Sequence, residues 1–180
     1  MFSLQPRISF GMRVYSCLER FFASSSLIPV QPPSKMETHL WYISPDEVRG
    51  PSLLNQYLDL LSPCELENIS RMHGQLKKRA LLARTLVRTT IARYQINSQV
   101  SPRSLKFRKN IYGKPEVEWQ HGHGWSLQPL HFNISHTPSL IACGVTRNAP
   151  IGIDVESKQR RIKNNILAFA QRYLSPSEVE

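Results

Sequence analysis

The chain has 180 residues, with 23 Lys and Arg against 13 Asp and Glu, giving a formal charge of +10 and a pI near 9.9. That length suits one domain or slightly more, and 41% hydrophobic with 9% aromatic residues excludes a wholly disordered chain. No apolar run approaches the ~18 to 20 residues of a membrane-spanning helix, and the three scattered cysteines, Cys17, Cys64 and Cys143, support neither a disulfide framework nor a structural zinc site.

Residues 1–35 hold Arg7, Arg13, Arg20 and Lys35 against Glu19 alone. Serines alternate there with Phe2, Ile8, Phe10, Val14, Leu18, Phe21 and Phe22, the composition of an amphipathic organellar transit peptide, and residues 29–33 read as a linker. The expected location is mitochondrial, with plastid or cytosol as alternatives; an extension without a targeting role has the same composition. The mature chain would begin near Met36.

Three segments share the form Ser-Pro-x-Glu: Ser44-Pro45-Asp46-Glu47, Ser62-Pro63-Cys64-Glu65 and Ser175-Pro176-Ser177-Glu178. Each offers a capping hydroxyl, a proline at the first helical position and a glutamate three residues after the cap, so three helices are expected to start there. A longer helix is expected around Leu76 to Tyr94, where Leu76, Ala80, Ala83, Val87, Ile91 and Tyr94 recur at helical spacing, with Gly74 separating it from the helix begun at Ser62.

Between Glu67 and Glu116 there is no acid, while that interval carries twelve bases, from Arg71 through Lys78, Arg79 and Arg88 to Lys114. Positive charge left unneutralised over such a length suggests a polyanionic partner: phosphates, nucleic acid or an acidic protein. A solvated basic face is the plainer alternative.

Further on the periodicity becomes alternating. Leu140 to Val145 reads as an apolar strand, and Arg147-Asn148-Ala149-Pro150 as a turn into a second strand over residues 151–156, together a hairpin. In the second strand Ile151, Ile153 and Val155 point one way, and Gly152, Asp154 and Glu156 the other. Two carboxylates then share a face with Cα atoms ~6.5 to 7 Å apart, close enough to serve one cation, although a solvated edge shows the same pattern. Nearby, Phe132-Asn133-Ile134-Ser135-His136 supplies an amide, a hydroxyl and an imidazole, and Tyr112-Gly113-Lys114-Pro115 an ammonium on a turn. Ser135 and His136 are neighbours whose side chains diverge on a strand, which disfavours a serine hydrolase. Donors for phosphate oxygens beside hard oxygen ligands suit magnesium-dependent phosphoryl chemistry instead. His121-Gly122-His123 reads as a flexible loop rather than a metal site, and Cys143 as a buried apolar residue.

These blocks, Tyr112-Gly113-Lys114-Pro115, Phe132-Asn133-Ile134-Ser135-His136-Thr137 and Ile151-Gly152-Ile153-Asp154-Val155-Glu156, in that order, resemble the signature of the 4′-phosphopantetheinyl transferases, in the longer monomeric type built from two similar halves. The resemblance covers about residues 36–180. It implies an α+β fold, with a first lobe over residues 36–150 and a second begun over 151–180. It also implies transfer of the phosphopantetheine arm of coenzyme A to a serine of an apo acyl carrier protein, with release of adenosine 3′,5′-bisphosphate. By the same resemblance Asp154 and Glu156 are the catalytic carboxylates and Mg2+ ligands. Lys114, Asn133, Ser135 and His136 contact coenzyme A, Arg79 lies near its 3′-phosphate and Lys78 is a neighbour. The basic face would receive the acidic carrier protein, with no nucleic acid or membrane as partner.

The family's later Trp-x-x-Lys-Glu block does not occur after Ser175, so the chain is expected to be C-terminally truncated and its own turnover open. The alternatives are a noncatalytic fragment that binds coenzyme A or carrier protein, and a basic nucleic-acid-binding module.

Overall fold

Ser62 and Glu65 open a helix as their spacing requires: the Ser62 backbone N–H and Oγ both donate to Glu65 Oε2, at 3.0 and 2.9 Å, with Pro63 in the first helical position. The computed structural model describes residues 11–16, 27–95, 100–118, 130–159 and 166–179. In chain order these form β1 (Gly11–Ser16), β2 (Glu37–Ile43), α1 (Pro51–Leu58), α2 (Pro63–Ser70), α3 (Gly74–Arg93), a 3-10 turn (Pro102–Ser104), β3 (Phe107–Lys109), β4 (Pro115–Val117), β5 (Leu130–His136), β6 (Ile141–Arg147), α4 (Ile166–Tyr173) and α5 (Pro176–Val179). The architecture is α+β, as expected.

The main sheet has the order β1-β2-β6-β5, with β1 parallel to β2 and the other pairs antiparallel; β3 and β4 form a separate two-stranded ribbon. Alternation along the strands sorts the main sheet into two faces. One carries Trp41, Ile43, Phe132, Ile141, Cys143 and Val145, all buried, and packs on α3 through Leu82, Leu86 and Ile91. Fully burying a side chain such as Leu82 stabilises the fold by roughly 1.5 to 3 kcal/mol. The other face carries Asn133, Ser135, Ala142 and Gly144, and on it the candidate site is built.

The long helix starts at Gly74, whose φ of +54° is the left-handed conformation that favours glycine, and it ends at Arg93, close to the expected span. Its burial is not a single stripe: Leu76 is exposed, whereas every residue from Thr85 to Arg93 is buried. Two arginines in that enclosed half hold neighbouring segments. Arg88 ion-pairs with Glu65 at 2.7 Å and donates through Nη1 to the carbonyls of Pro102 and Leu105, with its guanidinium 5.2 Å from the Phe107 ring centre. Arg93 donates to the Ile28 carbonyl, and the Val30 N–H to the Arg93 carbonyl, so the segment read as a linker lies against the end of α3.

Under β1 and β2 a polar group is sealed. Tyr94 Oη accepts from Trp41 Nε1 at 2.7 Å and lies 2.8 Å from His39 Nδ1, and Tyr15 stacks on Trp41 with ring centres 4.3 Å apart. His39 Nε2 lies 3.3 Å from Glu37 Oε1, which also pairs with Arg13.

Two expectations are corrected. Ser44-Pro45-Asp46-Glu47 makes a turn, closed by Glu47 N–H to the Ser44 carbonyl, and not a helix. Gly50-Pro51 follows too soon, since a proline cannot supply the helical N–H and turns its predecessor away from helical geometry, so α1 starts at Pro51. Residues 151–156 pair with no strand among the described residues, so the expected hairpin with β6 does not form. Residues 11–16, within the stretch read as amphipathic, form an edge strand. The His121-Gly122-His123 loop lies outside the described residues. Among those described, no helix is long and apolar enough to cross a membrane.

Candidate active site

The ribbon β3–β4 presents Lys114. Asn110 organises its turn: Oδ1 accepts from the N–H groups of Tyr112 and Lys114, the Asn110 carbonyl accepts from Gly113 N–H, and Gly113 adopts a φ of +77°. Lys114 Nζ then donates to the Ile151 carbonyl at 2.6 Å, tying the turn to the segment that bears the carboxylates.

That segment crosses the second face of the sheet. A Cβ on Gly144 would stand 2.7 Å from Ile153 Cγ2 and 2.9 Å from Ile151 Cδ1, so the two isoleucines occupy the space a side chain there would fill. Asn133 lies opposite Gly144 on β5, and its Oδ1 accepts from Ile153 N–H at 2.8 Å. Two residues on, Ser135 Oγ accepts from Val155 N–H at 3.0 Å and donates to Asp154 Oδ1 at 3.0 Å. The expected alternation survives without the expected pairing: Ile151, Ile153 and Val155 are half-buried, while Gly152, Asp154 and Glu156 are exposed.

Lys114, Asn133, Ser135 and Asp154 therefore meet around one segment, with Glu156 two places on from Asp154. His136, at the exposed end of β5, points to the opposite side of the strand from Ser135 and has no hydrogen bond to this group among the described residues. Lys78 and Arg79 sit in the first turns of α3 and are likewise not bonded to it. Arg79 nevertheless has a buried Nε without a hydrogen-bond partner, a donor that an incoming anion would satisfy.

A divalent ion fits this group in part. Asp154 uses Oδ1 for Ser135 Oγ and Val155 N–H, which leaves Oδ2 without a donor among the described residues, and both carboxylates are exposed. Among the described residues no three or more His, Cys, Asp or Glu side chains come together, so a magnesium ion held here would take its other oxygens from water or a bound diphosphate, as such ions commonly do.

The sequence reading missed Asn110, Gly144 and Arg88. Asn110 was open to detection, because an asparagine shortly before a glycine is a turn signal. Gly144 was not, because its role depends on a segment that crosses it.

Three curated relatives are 4′-phosphopantetheinyl transferases. One from Bacillus subtilis is 33% identical over 106 residues, covering 59% of this chain and 41% of its own length. HetI from Nostoc is 30% identical over 145 residues, 80% of this chain and 56% of its own. A third, gsp from Aneurinibacillus migulanus, is 34% identical over 101 residues. These sequence matches support the 4′-phosphopantetheinyl transferase superfamily for this chain. It spans about half, or less, of the length of these relatives. No family model matches the chain. Among solved structures, a holo-(acyl-carrier-protein) synthase from Bacillus anthracis in complex with CoA (3′,5′-ADP) aligns with a TM-score of 0.46 and 15% identity, over 60% of this chain and 91% of that one. The likeness to the superfamily rests on the sequence matches.

Proposed function

We propose that this chain, alone or as part of a longer polypeptide, transfers the 4′-phosphopantetheine group of coenzyme A to a serine of an apo acyl carrier protein in a magnesium-dependent reaction. The serine hydroxyl gives up its proton to solvent as its oxygen forms a phosphoester bond, the phosphoanhydride bond of coenzyme A breaks, and adenosine 3′,5′-bisphosphate leaves with the electron pair. The observation that carries this reading is the convergence of three sequence blocks: Lys114 on the Ile151 carbonyl, Asn133 on the Ile153 amide, and Ser135 on Asp154.

In this reading Asp154 and Glu156 hold the ion, which when bound would offset negative charge developing on the diphosphate. Lys114, Asn133, Ser135 and His136 bind coenzyme A. Arg79, with Lys78 beside it, takes the 3′-phosphate, in keeping with its unpartnered Nε. The acid-free interval supplies positive surface for an acidic carrier, in preference to nucleic acid. A monomeric full-length enzyme addressed to mitochondria by residues 1–35 completes the proposal.

Incubating the chain with apo-carrier, coenzyme A and magnesium tests it by mass: the carrier should gain one phosphopantetheine arm. Because the chain spans at most 56% of the length of the relatives compared, binding without turnover is the second reading. Calorimetric binding of coenzyme A with an unmodified carrier would select it. Absence of both would remove the proposal.

A further inference from the structure

The main-chain N–H groups of Ile153 and Val155 are held by side chains and not by a strand. Two of their acceptors, Asn133 Oδ1 and Ser135 Oγ, come from alternate residues of β5, at 2.8 and 3.0 Å, and Val155 N–H is shared with Asp154 Oδ1 at 3.0 Å. Residues two apart on a strand project from the same face ~6.5 to 7 Å apart, and N–H groups two apart on an extended segment repeat at the same interval. The two spacings match, so a pair of side chains reproduces two rungs of a ladder that the backbone does not form. Opposite Asn133, Gly144 leaves the sheet bare where Ile151 and Ile153 settle.

We propose that Asn133 and Ser135 are positioning residues, a two-point clip that sets where the Asp154 and Glu156 carboxylates stand, with Gly144 as the seat beneath them. This rests on the reading of those carboxylates as site residues and adds a role for the side chains that hold their segment. The clip fixes Asp154 from both sides, since it lies between the two clipped amides and its Oδ1 also receives the Ser135 hydroxyl. Asn133 keeps Nδ2 free of partners among the described residues, so holding the segment leaves it a donor for a ligand. A backbone hairpin would fix the segment through groups that every residue has; a side-chain clip makes its position depend on two particular residues.

Amide exchange of the whole labelled chain, followed by NMR, tests the clip directly. In Asn133→Ala the Ile153 N–H should exchange about tenfold faster, as loss of one ordinary hydrogen bond predicts, while amides in β2 and β6 keep their wild-type rates. Ser135→Ala should speed exchange at Val155 by a smaller factor, because Asp154 Oδ1 stays as a second acceptor, and Ser135→Thr, which keeps the hydroxyl, should restore protection. Titration with Mn2+ alone gives the second readout: both alanine variants should bind it several-fold more weakly at unchanged melting temperature. Unchanged exchange at Ile153 and Val155 would overturn the clip, as would loss of protection spread through the whole sheet. If wild-type protein binds no Mn2+ while the exchange pattern holds, the metal reading fails and the clip stands.

Discussion

Glu65 and Asp154 are both carboxylates that accept a hydrogen bond from a serine hydroxyl, and they serve opposite ends. Glu65 caps α2 and pairs with Arg88, whose side chain is 3% exposed and which also gathers the Pro102 and Leu105 carbonyls. Asp154 is exposed and uses one oxygen for Ser135 and its own segment. Stability concentrates where charge is enclosed and fully partnered, and the exposed carboxylate is the one whose capacity is left for a ligand in the proposed reading. The two regions should therefore separate cleanly under mutation.

The largest effect is expected at the enclosed pair. Glu65→Ala removes a cap and strands a buried guanidinium, and urea unfolding should report a loss of about 3 kcal/mol or more. Asp154→Asn should reverse the pattern, lowering carrier modification by roughly 10²- to 10³-fold in a mass assay while leaving the unfolding midpoint in place. If either substitution affected both readouts equally, the contrast would be lost. Tyr94→Phe sharpens it within the core: Trp41 Nε1–H loses its acceptor, and unfolding should show a loss of about 1 to 3 kcal/mol with no change in coenzyme binding.

The smallest expected effect is on pH. Burial, the larger influence, holds the His39 imidazole neutral below its ordinary 6.5, against the opposing pull of Glu37. Its contribution to stability is therefore present above about 6.5 and falls as the medium is acidified through that value, because the unfolded chain takes up the proton first. Glu37 is held ionised below its ordinary 4.5, chiefly by the Ser34 N–H, so its contribution is present above 4.5 and is lost as pH falls through its lowered value in the folded chain. Both act in the same direction. Urea midpoints measured from pH 8 to 4 should decline below about 6.5, and His39→Gln should remove the upper part of that decline.

What could be read in the sequence was whatever short-range chemistry determines. The Ser62-Pro63 and Ser175-Pro176 starts, the long helix after Gly74 and the burial of Cys143 all follow from local pattern. So does the alternation along residues 151–156. The pairing of that segment could not be read, because alternation specifies which way side chains face and not what bonds the backbone; here the acceptors were Asn133 and Ser135. Ser44-Pro45 starts no helix although it carries the capping pattern, because Gly50-Pro51 ends its reach. Of the candidate site, Lys114, Asn133, Ser135 and Asp154 follow from the order of their blocks, and the divergence of His136 from Ser135 follows from strand alternation, but only the fold could bring out the seat at Gly144.

Strand β1 gives the amino-terminal stretch a second consequence. Pairing of Gly11–Ser16 along Glu37–Tyr42 occupies the outer row of amide and carbonyl groups on β2. A chain cut before Glu37 would lay that row bare, and an open sheet border is a template for any extended peptide that meets it. Loss of residues 11–16 and the stickiness of the folded product would then be one and the same event.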